Sequence, residues 1–145
     1  MNDEEFRIWR KNQIDLISKN YKWQKLEQNW VESAVEQRLN YTFEWLGTPV
    51  IQFPLDLILL QEAIFKSKPN KIIEVGMARG GLTLFLASVL NLIHPNGNFC
   101  VLGIDKLVST HTQNALMNSH LFSKIRTIEG DSTDEKTKNQ LQILI

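Results

Sequence analysis

The stretch Glu74-Val75-Gly76-Met77-Ala78-Arg79-Gly80-Gly81 joins a carboxylate to a glycine turn, and it lies between two apolar runs. That combination can hold a ligand. Gly76 allows a strand to turn sharply, and Gly80 and Gly81 let the backbone approach a bound molecule closely. The free N–H groups of a helix opening at Gly81 face the same space. Two more acidic positions follow at comparable places, in Gly103-Ile104-Asp105 and in Glu129-Gly130-Asp131-Ser132-Thr133. An acidic residue such as Asp105, lying beside a glycine turn, accepts hydrogen bonds from both hydroxyls of a ribose. Asp131 is placed to meet the amino group of an adenine, although Asp131-Ser132-Thr133-Asp134 also reads as a helix N-cap.

The choice of nucleoside turns on charge. The spacing Gly76-x-Ala78-x-x-Gly81 is a degraded dinucleotide fingerprint, so an NAD-type ligand is one reading. A carboxylate at Glu74, however, repels a pyrophosphate with its two negative charges. It suits a ligand carrying an ammonium and a sulfonium, and S-adenosylmethionine has both. The expected cofactor is therefore S-adenosylmethionine.

Lys71–Val75 reads as a short buried strand, Gly81–Leu92 as a nearly all-apolar helix and Phe99–Ile104 as a second strand. A polar helix around Thr112–Asn118 leads to a third strand at Lys124–Glu129, and a polar, helical segment covers Asp134–Gln142. Alternation of strand and helix predicts a parallel sheet covered on both faces. Upstream, Asp3 to Trp45 contains neither proline nor glycine and repeats apolar residues at helical spacing, with a break at Asn20-Tyr21. All four tryptophans fall in this region, expected on polar helices that pack onto the following domain or a second subunit, or that wall a substrate pocket. Leu46 to Pro54 reads as a connector in which Gly47 ends the preceding helix, and Asp56 as the N-cap of the next one.

The chain of 145 residues suits one domain better than two, and its formal charge is zero, which gives no electrostatic reason to expect nucleic acid or an anionic membrane as partner. The acidic start, Met1-Asn2-Asp3-Glu4-Glu5, is unlike a signal peptide, and the apolar run Leu82–Ile93 is too short to span a bilayer; a cytoplasmic protein is expected. The lone cysteine, Cys100, is expected to be a buried, inert thiol. His94, His111 and His120 lack the spacing of a metal site; surface or capping roles are expected for His111 and His120, and no metal ligand is assigned. No catalytic base is evident.

The residues Trp45-Leu46-Gly47, Pro54-Leu55-Asp56, Gln61-Glu62, Lys68-Pro69, Ile73-Glu74-Val75-Gly76, Gly80-Gly81, Gly103-Ile104-Asp105, His111, His120 and Glu129-Gly130-Asp131-Ser132 occur in an order and spacing that resemble the cephalosporin hydroxylase family, a group that takes in rhamnosyl O-methyltransferase-like proteins. The resemblance covers roughly residues 40 to 135. It implies an α/β, Rossmann-like methyltransferase fold, S-adenosylmethionine as methyl donor and a small hydroxyl-bearing acceptor such as a sugar or antibiotic precursor. Carried over by position, Glu74, Gly76, Gly80 and Gly81 contact the methionine end, Asp105 the ribose, and Asp131 with Ser132 the adenine side. Relatives can hold Mg2+ through acidic residues that are absent from this chain. Arg79 and Lys106 depart from the family pattern, and Arg79 adds positive charge at the crevice mouth.

The organisation expected is a helical segment over 1–46 and the N-terminal half of the nucleoside-binding domain over 47–145, with the parallel sheet truncated after its third strand. In this fold a fourth strand lies beside the first, so Ile72–Val75 would be left as an apolar edge. A truncated gene product or partial sequence is the expectation, with self-association through that edge or the N-terminal helices. The alternative is a non-catalytic binding or assembly protein of the same fold.

Overall fold

The computed structural model describes residues 1–144 and divides into two compact units, Met1–Leu39 and a second beginning at Asn40. The first unit is a pair of helices, α1 (Asp3–Ser18) and α2 (Tyr21–Glu36). Asn2 caps α1 by accepting from the N–H groups of Glu4 and Glu5, while the Glu5 carboxylate accepts from the N–H of Asn2, a reciprocal arrangement that satisfies donors with no partner inside the helix. Asn20 does the same for α2, accepting from Trp23 N–H at 3.1 Å; the break falls at the expected place. Phe6 and Trp9 stack with 5.6 Å between ring centroids. Even so, Phe6, Trp9, Trp23 and Trp30 all stay about half exposed.

The second unit opens with an antiparallel hairpin, β1 (Phe43–Trp45) and β2 (Thr48–Val50). This corrects the expectation of a helix reaching Trp45 and ending at Gly47. Leu46 and Gly47 are the two-residue turn, with φ of 51° and 78°, the left-handed pair that matches the twist of a hairpin. An unbroken run without proline or glycine looks helical, but the aromatic residues Phe43 and Trp45 favour a strand once a partner is available. Trp45 therefore does not lie on a polar helix. Its ring meets Phe85 edge-on at 4.9 Å, and its indole N–H donates to Ser88 Oγ at 3.1 Å.

Helix α3 (Pro54–Ser67) begins two residues before the expected cap. Pro54 takes the first helical position, where its missing N–H costs nothing, and Asp56 sits in the first turn rather than at the N-cap. The chain then enters a parallel sheet of order β3-β4-β5, formed by β3 (Lys71–Val75), β4 (Cys100–Asp105) and β5 (Ile125–Glu129). Helices α4 (Gly81–Ile93), α5 (Thr110–Met117) and α6 (Glu135–Leu144) alternate with and follow these strands, close to the expected spans. The core is built around α4, whose Leu84, Phe85, Leu86, Val89 and Leu90 pack with Val101 and Ile125 from the sheet, Leu57 and Ile64 from α3, and Leu116 from α5. Burial of this kind stabilises by roughly 25 cal/mol per Å² of apolar surface, and it makes α4 the element that fixes the first strand and its turn.

Two details qualify the sequence reading. Cys100 is half-buried rather than buried, and desolvation pushes its thiol pKa up, which leaves it a poor nucleophile. Among the described residues the outer edge of β3 pairs with no strand, and Ile73 and Val75 are exposed there.

The hairpin and α4 meet at Gly81. A Cβ built at Gly81 would overlap the backbone carbonyls of Pro49 and Thr48. Gly81→Ala is therefore expected to lower stability by about 1–3 kcal/mol through overpacking. Gly47→Ala, with open space around the added carbon but a φ of 78°, should cost only about 1–2 kcal/mol of left-handed strain. Denaturant unfolding of both variants checks this; an unchanged midpoint for Gly81→Ala would refute the contact.

Candidate functional site at the strand ends

Strand pairing determines which side chains share a face. Glu74 lies opposite Gly103 in the β3–β4 register, and Asp105 is two residues further along β4, so Glu74 and Asp105 project from the same face of the sheet. That is the face covered by α4: Thr83 Oγ1, fully buried on this helix, donates to Glu74 Oε2 at 2.6 Å. The other carboxylate oxygen, Glu74 Oε1, is buried with no hydrogen-bond partner. Glu74 is only 6% exposed. Desolvation raises its pKa to about 7, with the Thr83 hydrogen bond opposing and the charge of Asp105 adding to the shift.

The glycine turn is held in shape by the residue after it in space. Asp105 Oδ2 accepts from the N–H groups of Met77 at 2.8 Å and Ala78 at 3.1 Å, and Gly76 N–H donates to the Ile104 carbonyl at 2.8 Å. Gly76 and Gly80 have φ of 87° and 86°, and Ala78 is also left-handed at 48°, so the turn concentrates conformations that L-residues resist. Helix α5 braces it: Thr112 Oγ1 donates to the Ala78 carbonyl at 2.7 Å. Met77 turns inward and fills the space over Gly103, where a Cβ would overlap its sulfur. Gly103 thus exists to admit Met77, a role that a glycine inside a strand signals in principle.

Two cavities open at this end of the sheet and share Gly76. One, of about 270 Å³, is lined by Glu74, Gly76, Gly81 and Leu82 together with Pro49, Ile51 and Gln52 from the segment around β2. The other, of about 280 Å³, is lined by Val75, Gly76, Ile104, Asp105, Lys106, Gly130 and Ser132. The expected residues Glu74, Gly76, Gly81, Asp105 and Ser132 are thereby brought together. Gly80 and Asp131 line neither cavity. A Cβ at Gly80 would sit 3.3 Å from the side chains of Thr112 and Leu116, so its lack of a side chain makes room for α5. Asp131 Oδ2 pairs with Lys106 Nζ at 2.8 Å, and Oδ1 accepts from Thr133 N–H and Oγ1 at 2.9 and 2.7 Å. Those bonds hold its carboxyl well below the usual carboxylate range. Lys106 thus neutralises the carboxylate of Asp131. Arg79 is exposed and lines neither cavity.

Elsewhere, His111 and His120 are exposed and line a wider groove of about 580 Å³ with Asn114, Asn118, Ser119 and the hairpin turn. His94 Nε2 lies 3.1 Å from the Pro69 carbonyl. Among the described residues no group of three histidine, cysteine, aspartate or glutamate side chains gathers as a metal site, and no helix is long and apolar enough to cross a membrane. Sequence reasoning passed over Thr83 and Gln52. Thr83 was legible only as a polar residue one helical turn from the apolar core, and Gln52 lay in a segment read as mere connector.

A parallel sheet of order β3-β4-β5 with alternating helices defines a Rossmann-like α/β fold of the methyltransferase kind. More particularly, the chain belongs to the rhamnosyl O-methyltransferase/CmcI family, whose model matches residues 37–145. A solved CmcI chain described as an Mg-SAM form has the same fold, with a TM-score of 0.59 and 19% identity over 68% of this chain. This chain spans 40% of the length of that relative. No curated protein matches the sequence.

The raised pKa of Glu74 has a thermodynamic sign. The folded protein binds this proton more tightly than the unfolded chain, whose value is near 4.5, so Glu74 stabilises the fold at low pH and that contribution is lost as pH rises from about 4.5 to about 7. Glu74→Gln, permanently neutral, is expected to flatten that slope and to exceed wild type in stability by about 3 kcal/mol at pH 8. Chemical denaturation at pH 4.5, 6 and 8 measures it, and parallel pH profiles for the two proteins would count against a buried, unpaired carboxyl.

Proposed function

We propose that this chain provides the cofactor crevice of an S-adenosylmethionine-dependent O-methyltransferase acting on a small hydroxyl-bearing acceptor such as a sugar or antibiotic precursor. The observation that carries the reading is Glu74, which lines a cavity beside the glycine turn and has a buried Oε1 with no hydrogen-bond partner. A carboxylate in that position binds an ammonium group favourably and a diphosphate unfavourably, because charges a few ångströms apart interact strongly where water is excluded. Membership of the rhamnosyl O-methyltransferase/CmcI family supports the same assignment.

The residues fit the ligand in parts. Glu74 Oε1 accepts from the amino group of the methionine end. Asp105 keeps capacity for a ribose hydroxyl, since Oδ1 carries only a long bond from Leu107 N–H at 3.3 Å and a carboxylate oxygen has two acceptor sites. Ser132 lines the same cavity and offers a hydroxyl toward the base. When bound, S-adenosylmethionine supplies an electrophilic methyl group to an oxygen nucleophile. The part played by this chain is to hold the donor in one orientation, which contributes through proximity rather than through proton transfer. No metal ligand is assigned within the chain. A cytoplasmic location and self-association through the β3 strand are part of the proposal, and the exposed Ile73 and Val75 support the second.

Titration calorimetry with S-adenosylmethionine and with NAD tests the reading: the first is expected to bind and the second not. Asp105→Ala should weaken S-adenosylmethionine by about 1–3 kcal/mol, partly through loss of the bonds that shape the turn. Preference for NAD, or unchanged affinity in the variant, would overturn the assignment.

A further inference from the structure

The cavity beside Glu74 presents more than an acceptor. The segment that follows β2 also lines it, and there Gln52 is half-buried with no hydrogen bond to its carboxamide among the described residues. Gly81 and Leu82, the first residues of α4, line the same space, and N–H groups in the first turn of a helix have no partner within it. Other backbone donors of the turn are already engaged: Met77 and Ala78 by Asp105, Gly76 by Ile104 and Gly80 by Met77. The residues around this cavity therefore combine an unpartnered carboxylate oxygen with a small group of unpaired donors. This polarity matches a zwitterion, with ammonium on one side and carboxylate on the other.

We propose that Gln52 is a specificity-determining residue that donates its carboxamide N–H to the carboxylate of the ligand's amino-acid end, completing with Glu74 a subsite for an α-amino acid group. The inference rests on the S-adenosylmethionine reading and adds a residue from outside the glycine turn. Pro49 and Thr48 carbonyls abut Gly81 so closely that no side chain fits between them, and this contact ties the segment carrying Gln52 to the start of α4. A carboxamide is the apt group here. It supplies a donor without adding positive charge that would compete for Glu74.

Calorimetry on the full chain with two probes tests the proposal: S-adenosylmethionine, and 5′-methylthioadenosine, which has the nucleoside but no amino-acid end. Wild type is expected to bind the first more tightly. Gln52→Ala should lose about tenfold in affinity for S-adenosylmethionine and keep its affinity for 5′-methylthioadenosine. Gln52→Glu should lose more, as a second carboxylate then faces that of the ligand. Equal losses for both probes would show that Gln52 only supports the fold, and unchanged S-adenosylmethionine affinity would show that it does not touch the ligand; each result overturns the proposal. Wild type binding the two probes equally would remove the amino-acid subsite while leaving a nucleoside crevice. Wild type binding neither, with a native circular dichroism spectrum, would defeat the S-adenosylmethionine reading itself.

Discussion

A carboxylate buried against a helix, with one oxygen bonded to Thr83 and the other bonded to nothing, is costly. Burying an unpaired charge raises the free energy of the folded state by several kcal/mol, and the carboxyl responds by holding its proton to about pH 7. An apolar residue at position 74 would pack against α4 at no such cost. The arrangement is understandable if the missing partner is a ligand cation, and much of the surrounding structure serves to keep the unpaired oxygen in place. Helix α4 supplies the lid of the core and the Thr83 hydroxyl together. Its first residue has no side chain, so the β2 segment can close against it.

The turn after β3 shows the same division of labour. Three of its residues adopt left-handed backbone conformations, and Asp105 offsets that strain by accepting from two of its N–H groups. Asp105 therefore couples the turn to the second strand, and any ribose contact is made by a carboxylate already fixed by the protein. Preorganisation of this kind lowers the entropy cost of binding. Asp131 differs: it pairs with Lys106 and lines neither cavity, whereas the neighbouring Ser132 lines the one that Asp105 lines.

Much of this was legible in the residues. The parallel strands are short apolar runs bounded by turns, so β3, β4 and β5 stand within a residue or so of their expected limits. The register that puts Glu74 and Asp105 on one face follows from strand periodicity once pairing is known. What escaped was non-local. The hairpin at Phe43–Val50 depends on Trp45 finding Phe85 and on Leu46 accepting a left-handed turn, neither of which has a local signature; periodicity alone favoured a helix. Gly80 and Gly81 read as ligand-approach glycines; in the fold Gly80 also makes room for α5, and Gly81, which lines the cavity with Glu74, makes room for the Pro49 backbone. Gln52 was invisible because a lone amide in a proline-flanked segment carries no pattern.

The account depends most on the ionisation of one side chain. Carbon-13 NMR of the Glu74 carboxyl, followed against pH with and without S-adenosylmethionine, reads it directly. The expected result is a midpoint near 7 for the free protein and a fall of at least about one unit when the cationic ligand is bound, since an ammonium beside a carboxylate favours its charged form. A midpoint near the ordinary value of 4.5 that ignores the ligand would contradict the account.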